Sequence, residues 1–134
     1  MKSRDTLIRL RRFQVEEKRR RVAQIEAMIG EFSRMIVDLE REIALEEQRA
    51  GISDPSHFAY PTYARAARAR RDNLQRSAEE LRSQLADAKN QLEEAHAELS
   101  KVQSLEGREK AAEHPVEAAS ASLDLGLGLR VVRA

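Results

Sequence analysis

Apolar residues recur along the first part of the chain at a fixed interval. Ile8, Val15, Val22, Ile29, Ile36 and Ile43 stand seven apart, and Ile25, Phe32 and Leu39 follow three of them at a distance of three. A seven-residue repeat with β-branched side chains at its first apolar position is the seam of a coiled coil. It predicts a helix over about 4–49, with Gly30 as its one weak point. In the first heptads the second seam position instead holds Arg4, Arg11 and Lys18. The seam is therefore expected to be wet at its beginning and dry further on.

Residues 50–61 break the pattern. Gly51 suits a helix C-terminal cap, and Pro55 and Pro61 cannot sit inside a continuous helix. Asp54 before Pro55 fits the cap of a short helical turn, and Pro61 the opening of a second long helix. That helix is predicted over about 61–107, with Gly107 at its end. Its seam reads Ala67, Leu74, Ala78, Leu81, Leu85, Ala88, Leu92, Ala95, Leu99 and Val102. Alanine at four of these ten positions permits close approach of another helix. Each helix would be roughly 70 Å long at 1.5 Å per residue. Past Pro115 the chain turns to Ala and Ser and then to Leu-Asp-Leu-Gly-Leu-Gly-Leu-Arg-Val-Val, where Gly126 and Gly128 oppose helix. Residues 114–134 read as a flexible tail, with Leu123 to Val132 a short docking segment.

Charge decides how the two helices pair. Residues 1–21 carry nine basic and three acidic groups, and 22–50 carry three and seven. Residues 51–76 carry five and two, and 77–106 again three and seven. Folding back sets the basic opening beside the acidic 77–106 block. It also sets the acidic 22–50 block beside the arginines at 65, 68, 70, 71, 76 and 82. A parallel in-register dimer of the first helix would oppose like charges instead. One surface pair is worth about 0–1 kcal/mol, but repulsion repeated over several heptads selects orientation. The predicted fold is all-α: a long two-helix antiparallel coiled-coil hairpin over 1–113 with a flexible C-terminal tail. Aromatics at 4% and no Trp agree, since they leave little to fill a wider core.

Candidate chemistry is sparse. With no Cys, thiolate and disulfide chemistry is excluded. His57, His96 and His114 lack acidic or histidine neighbours at metal-site spacing. A slender hairpin offers its many glutamates no concave pocket in which to shift a carboxylate. Gly126-Leu-Gly128 lacks the third glycine and the strand–helix setting of a phosphate loop. The reading is a non-enzyme without cofactor or metal. No apolar run approaches the roughly 18 residues of a transmembrane segment, and Arg9, Arg11 and Arg12 interrupt any signal-peptide core. A cytoplasmic protein is expected. The cluster Lys18-Arg19-Arg20-Arg21 has phosphate-binding character. With Phe13 as its one nearby aromatic and an acidic helix alongside, nucleic acid is the least favoured partner.

Protein partners are favoured by two apolar features. Ile8 and Val15 face the seam, whereas Leu7, Leu10 and Phe13 fall on a different face, spread over about 120°. They form either a greasy helix end or a docking stripe ringed by arginine, suited to an acidic or amphipathic partner. Phe58, Tyr60 and Tyr63 cluster at the turn, where they either clamp it or present an anchor.

The opening Lys2-Ser3-Arg4-Asp5-Thr6-Leu7-Ile8-Arg9-Leu10, continued by Phe13-Gln14-Val15-Glu16-Glu17-Lys18-Arg19-Arg20, resembles FliJ-type flagellar export proteins of alphaproteobacteria. So do the loop Ser53-Asp54-Pro55-Ser56-His57-Phe58-Ala59-Tyr60-Pro61-Thr62-Tyr63 and the following Arg71-Asp72-Asn73-Leu74. The resemblance covers roughly residues 1–110. It implies a component of the flagellar type III export apparatus, needed for flagellum assembly, motility and chemotaxis. Members are antiparallel coiled coils similar to the central stalk of rotary ATPases. They insert the end carrying both termini into the export ATPase ring, contact the cytoplasmic domain of the membrane export gate, and escort export chaperones. On that footing Arg4, Leu7, Arg9, Leu10, Arg11 and Phe13 would meet the ATPase. Tyr60, Tyr63, Ala67, Arg70 and Leu74 would meet the gate. The protein would lie at the cytoplasmic face of the inner membrane, held there peripherally. Family members usually extend the second helix further than Pro115 allows here. The competing expectations are a general coiled-coil scaffold or holdase chaperone and, behind it, a basic nucleic-acid-binding hairpin.

Overall fold

The computed structural model describes residues 2–113. The predicted tail 114–134, with His114 and the segment Leu123–Val132, lies outside them. Two α-helices, α1 (Lys2–Ala50) and α2 (Thr62–Glu113), make up the described fold, and no strand occurs among the described residues. The two helices pack against each other as the expected antiparallel hairpin.

Local chemistry sets the ends of the helices. Gly51 stands at φ +70°, and its N–H donates to the Glu47 carbonyl at 2.9 Å. Only glycine adopts that left-handed cap without steric cost. The Pro61 carbonyl accepts the first α2 bond, from the Arg65 N–H at 3.0 Å. Between them the chain makes turns and no helix. Asp54 does not cap a helical turn as the sequence suggests. Its carboxylate Oδ1 accepts from the Ser56 amide at 3.0 Å and the Ser56 hydroxyl at 2.7 Å, closing an Asx turn. The hydroxyl first, and then the amide, hold the Asp54 carboxyl below its ordinary range.

Helix α2 runs past Gly107, where the sequence suggests an end, and continues to Glu113. One helical glycine costs only about 1 kcal/mol relative to alanine. Bonds on its far side offset that: Lys110 pairs with Glu106 at 3.1 Å across the glycine, and Glu109 forms an ion pair with Arg4 of α1.

The chain divides into two compact units. The unit of residues 16–93 holds the turn and most of the buried apolar surface. Val22, Ile25, Leu81 and Ala88 form its core cluster, with Ile29, Phe32, Leu85 and Leu92 packed on it. Ile25 is 1% exposed, and Ala64 and Ala67 are buried near the turn. Lys18 crosses to Gln91 at 3.3 Å and Tyr63 to Glu42 at 2.8 Å, partners that fix the antiparallel register of this unit. Arg68 reaches Glu47 at 3.7 Å, an instance of the expected pairing between the acidic 22–50 block and the early α2 arginines.

The other unit comprises residues 1–15 and the chain from 94 onward. Ile8, Val15 and Val102 are buried, with Ala95 and Leu99 half-buried. Arg4 and Arg11 occupy seam positions here and are half-buried. Arg4 meets Glu109, whereas Arg11 donates to Gln14 at 3.1 Å on its own helix and leaves its buried Nε without a hydrogen-bond partner. The seam opens on arginine where further along it is apolar.

Candidate partner-binding surfaces

In the unit of residues 1–15 and 94 onward, the antiparallel pairing consumes Ile8 and Val15 and nothing beyond them on the adjoining face of α1. Leu7, Leu10 and Phe13, spaced three residues apart, lie outside the seam, and all three are exposed, Phe13 at 55%. Arg9 and Arg12 flank them and are also exposed. A stripe of three large apolar side chains on a helix end with exposed guanidinium groups can take an apolar surface that carries carboxylates, because both its contact area and its charge would be satisfied together. Of the six residues expected at this surface, Leu7, Arg9, Leu10 and Phe13 stand free on it. Arg4 and Arg11 are half-buried at seam positions and are not free on this surface.

The turn region resolves the choice between clamp and anchor residue by residue. Tyr60 is a clamp: it is 4% exposed, its hydroxyl donates to Glu47 Oε2 at 2.9 Å, and the Arg65 guanidinium lies over its ring at 5.6 Å. Burial, and then the bond to Glu47, raise its pKa, with Arg68 opposing. Phe58 is the opposite case, 95% exposed and stacked on His57 with ring centroids 4.7 Å apart. The loop holds that pair in place, since His57 Nδ1 accepts from the Ala59 N–H at 3.0 Å.

Tyr63 is exposed and leans across to α1, where its hydroxyl donates to Glu42 Oε2. That bond, then the Glu42 charge, raises its pKa. It edges a shallow groove of about 330 Å³ lined by Met35, Leu39, Ala66, Ala67 and Arg70, with Asp38 and Glu42 on the α1 side. The second expected surface therefore comes together only in part. Tyr63, Ala67 and Arg70 share this groove, with Ala67 buried at its floor and Arg70 exposed at its rim. Leu74 is half-buried in the seam and Tyr60 is enclosed. Sequence reading overlooked the α1 wall. Its signal was the seven-residue spacing of Met28, Met35 and Glu42, one position before the seam residues.

Two of these bonds make a prediction. Both tyrosines titrate higher when folded than in the unfolded chain, so the folded form binds their protons more tightly. Their contribution is complete below about pH 10 and is lost as the pH rises beyond it. Tyr60→Phe with Tyr63→Phe should leave the thermal midpoint less sensitive to pH between about 9 and 11 than that of the parent, measured by circular dichroism. Equal alkaline slopes would contradict the two cross-helix bonds.

Among the described residues no group of three His, Cys, Asp or Glu side chains is gathered to hold a metal ion, and no helix is long and apolar enough to cross a membrane. No family model, curated protein or solved structure matches the chain.

Proposed function

We propose that this chain is a coiled-coil component of the flagellar type III export apparatus. It acts there as a stalk for the export ATPase ring and an adaptor to the cytoplasmic domain of the export gate and to export chaperones. Flagellum assembly and motility depend on it. In this role it works in the cytoplasm, bound peripherally at the inner membrane through its partners. The reading is supported by the FliJ-like opening string and loop, and by the observation that carries it: Leu7, Leu10 and Phe13 stand exposed, with Arg9 exposed among them in sequence, on a helix whose seam is already occupied. The groove at Tyr63, Met35 and Arg70 supplies a second surface for the adaptor role.

The test is association with purified export ATPase. Leu7→Asp with Phe13→Asp places carboxylates in the stripe without touching the seam. The variant should keep its helical circular dichroism and lose ATPase binding by about 100-fold or more, the effect of removing two apolar anchors. Unchanged binding would remove the proposal. A second reading, a holdase or general scaffold, draws on the apolar side chains exposed elsewhere on α1, namely Met28, Met35, Val37 and Leu45. It predicts suppression of aggregation of unrelated clients, with the same potency in the stripe variant.

A further inference from the structure

We infer that the chain carries its own cap for this stripe: the segment Leu123–Val132 docks on Leu7, Leu10 and Phe13 and competes with the external partner. The inference rests on reading the stripe as a docking surface, but not on which partner takes it.

Three observations point to this occupant. The first is chemistry. Leu123, Leu125, Leu127, Leu129, Val131 and Val132 make six of ten residues large and apolar, and Asp124 and Arg130 cancel in charge. Such a segment has no use for solvent and meets no net repulsion from Arg9 and Arg12. Alternation at Leu123, Leu125, Leu127 and Leu129 would set those four side chains on one side of an extended backbone, with Asp124, the two glycines and Arg130 on the other.

The second is reach. Arg4 pairs with Glu109, so in this unit Leu7 to Phe13 come level with roughly residues 100–106 of α2. Returning from Glu113 to the middle of that stretch means travelling roughly 15 Å along the helix. The nine residues 114–122 span up to roughly 30 Å when extended. The connection is long enough to lie back, with slack to pass around the helix pair.

The third is concentration. A segment tethered at this distance faces the stripe at an effective concentration in the millimolar range. A second copy of the chain, or a weak partner, must displace it. The stripe is exposed among the described residues, and no other described element covers it. The cap would thus act as an affinity filter: partners weaker than the tethered leucines are refused, and a partner that also holds the segment gains twice.

The full chain tests this directly. A photoreactive benzoylphenylalanine replaces Phe13, copies with and without heavy-isotope label are mixed, and adducts formed on illumination are mapped by mass spectrometry. Adducts should fall on residues 123–132 and join residues of one copy. Leu125→Asp with Leu127→Asp should lower their yield by about tenfold or more, as expected when two apolar contacts are lost. Adducts confined to α1 and α2, or tail adducts only between copies, would overturn the cap. In a second arm the same double variant should bind purified export ATPase more tightly than the parent, and equal affinities would overturn the competition. If the ATPase binds neither form while the adducts persist within single copies, the assignment of the partner fails and the cap stands.

Discussion

Replacing Ile25 by alanine is expected to lower the unfolding free energy by about 3 kcal/mol, within the usual range for a buried aliphatic truncation. Ile25 is the most enclosed large side chain described, 1% exposed at the centre of the cluster with Val22, Leu81 and Ala88. The small partners around it matter. Alanine at 88 lets α2 approach closely in this cluster, and closely spaced backbones cannot collapse further into a void. The cavity should therefore persist, and its cost adds to the lost burial. For a chain of this size the thermal midpoint should fall by roughly 10–15 °C. Leu45→Ala is the control. Leu45 is large and apolar but exposed on the same helix, so its truncation should move the midpoint by a degree or two. Similar losses at both positions would mean that the seam lies elsewhere.

Arg11→Leu should have the opposite sign. Arg11 occupies the second seam position of its heptad and is half-buried, with its Nε enclosed and lacking a hydrogen-bond partner. Its one described bond, to Gln14, is local and does not tie the helices together. Leucine there completes the heptad and removes the burial of a charge that nothing across the seam offsets. A gain of about 1–2 kcal/mol follows, read as a rise of several degrees in the thermal midpoint. Arg4→Leu should gain less, because Arg4 already has Glu109. If Arg11→Leu destabilises the protein, the guanidinium has a partner role in the fold that this account denies. The cationic seam also has a dynamic consequence. The unit holding Ile8, Val15 and Val102 buries few large apolar side chains, so its amides should exchange with solvent well before those around Ile25.

The seam of α1 was legible from the sequence because its β-branched residues keep a strict seven-residue period and nothing else in the stretch competes. On α2 the same logic located Ala78, Leu81 and Ala88 but passed over Ala64 and Arg71. Ala64 is fully buried near the turn, yet a single alanine carries almost no hydrophobic signal among neighbouring alanines and arginines. Arg71 is half-buried at a seam position, where its aliphatic stem can pack while the guanidinium reaches Asp72 at 3.0 Å. Composition cannot show which part of such a side chain is inside. The turn illustrates a different limit. That aromatics gather there is plain from the sequence, but which one closes the turn depends on a carboxylate 13 residues away. Glu47 takes the hydroxyl of Tyr60, and Phe58, with no polar handle, is left outside. The stripe at Leu7, Leu10 and Phe13 was readable from helical angles alone, since it needed only the knowledge of which residues the seam would use.

The stripe is surplus only because α1 and α2 of the same molecule occupy each other's seam. Val22 and Ala88 share one core cluster, and the natural chain has no cysteine to interfere. A Val22→Cys, Ala88→Cys chain treated with a short thiol cross-linker, in a mixture of isotope-labelled and unlabelled copies, reports the pairing directly. The expected product links positions 22 and 88 within single copies and migrates as a monomer. Links found solely between labelled and unlabelled copies would contradict the account.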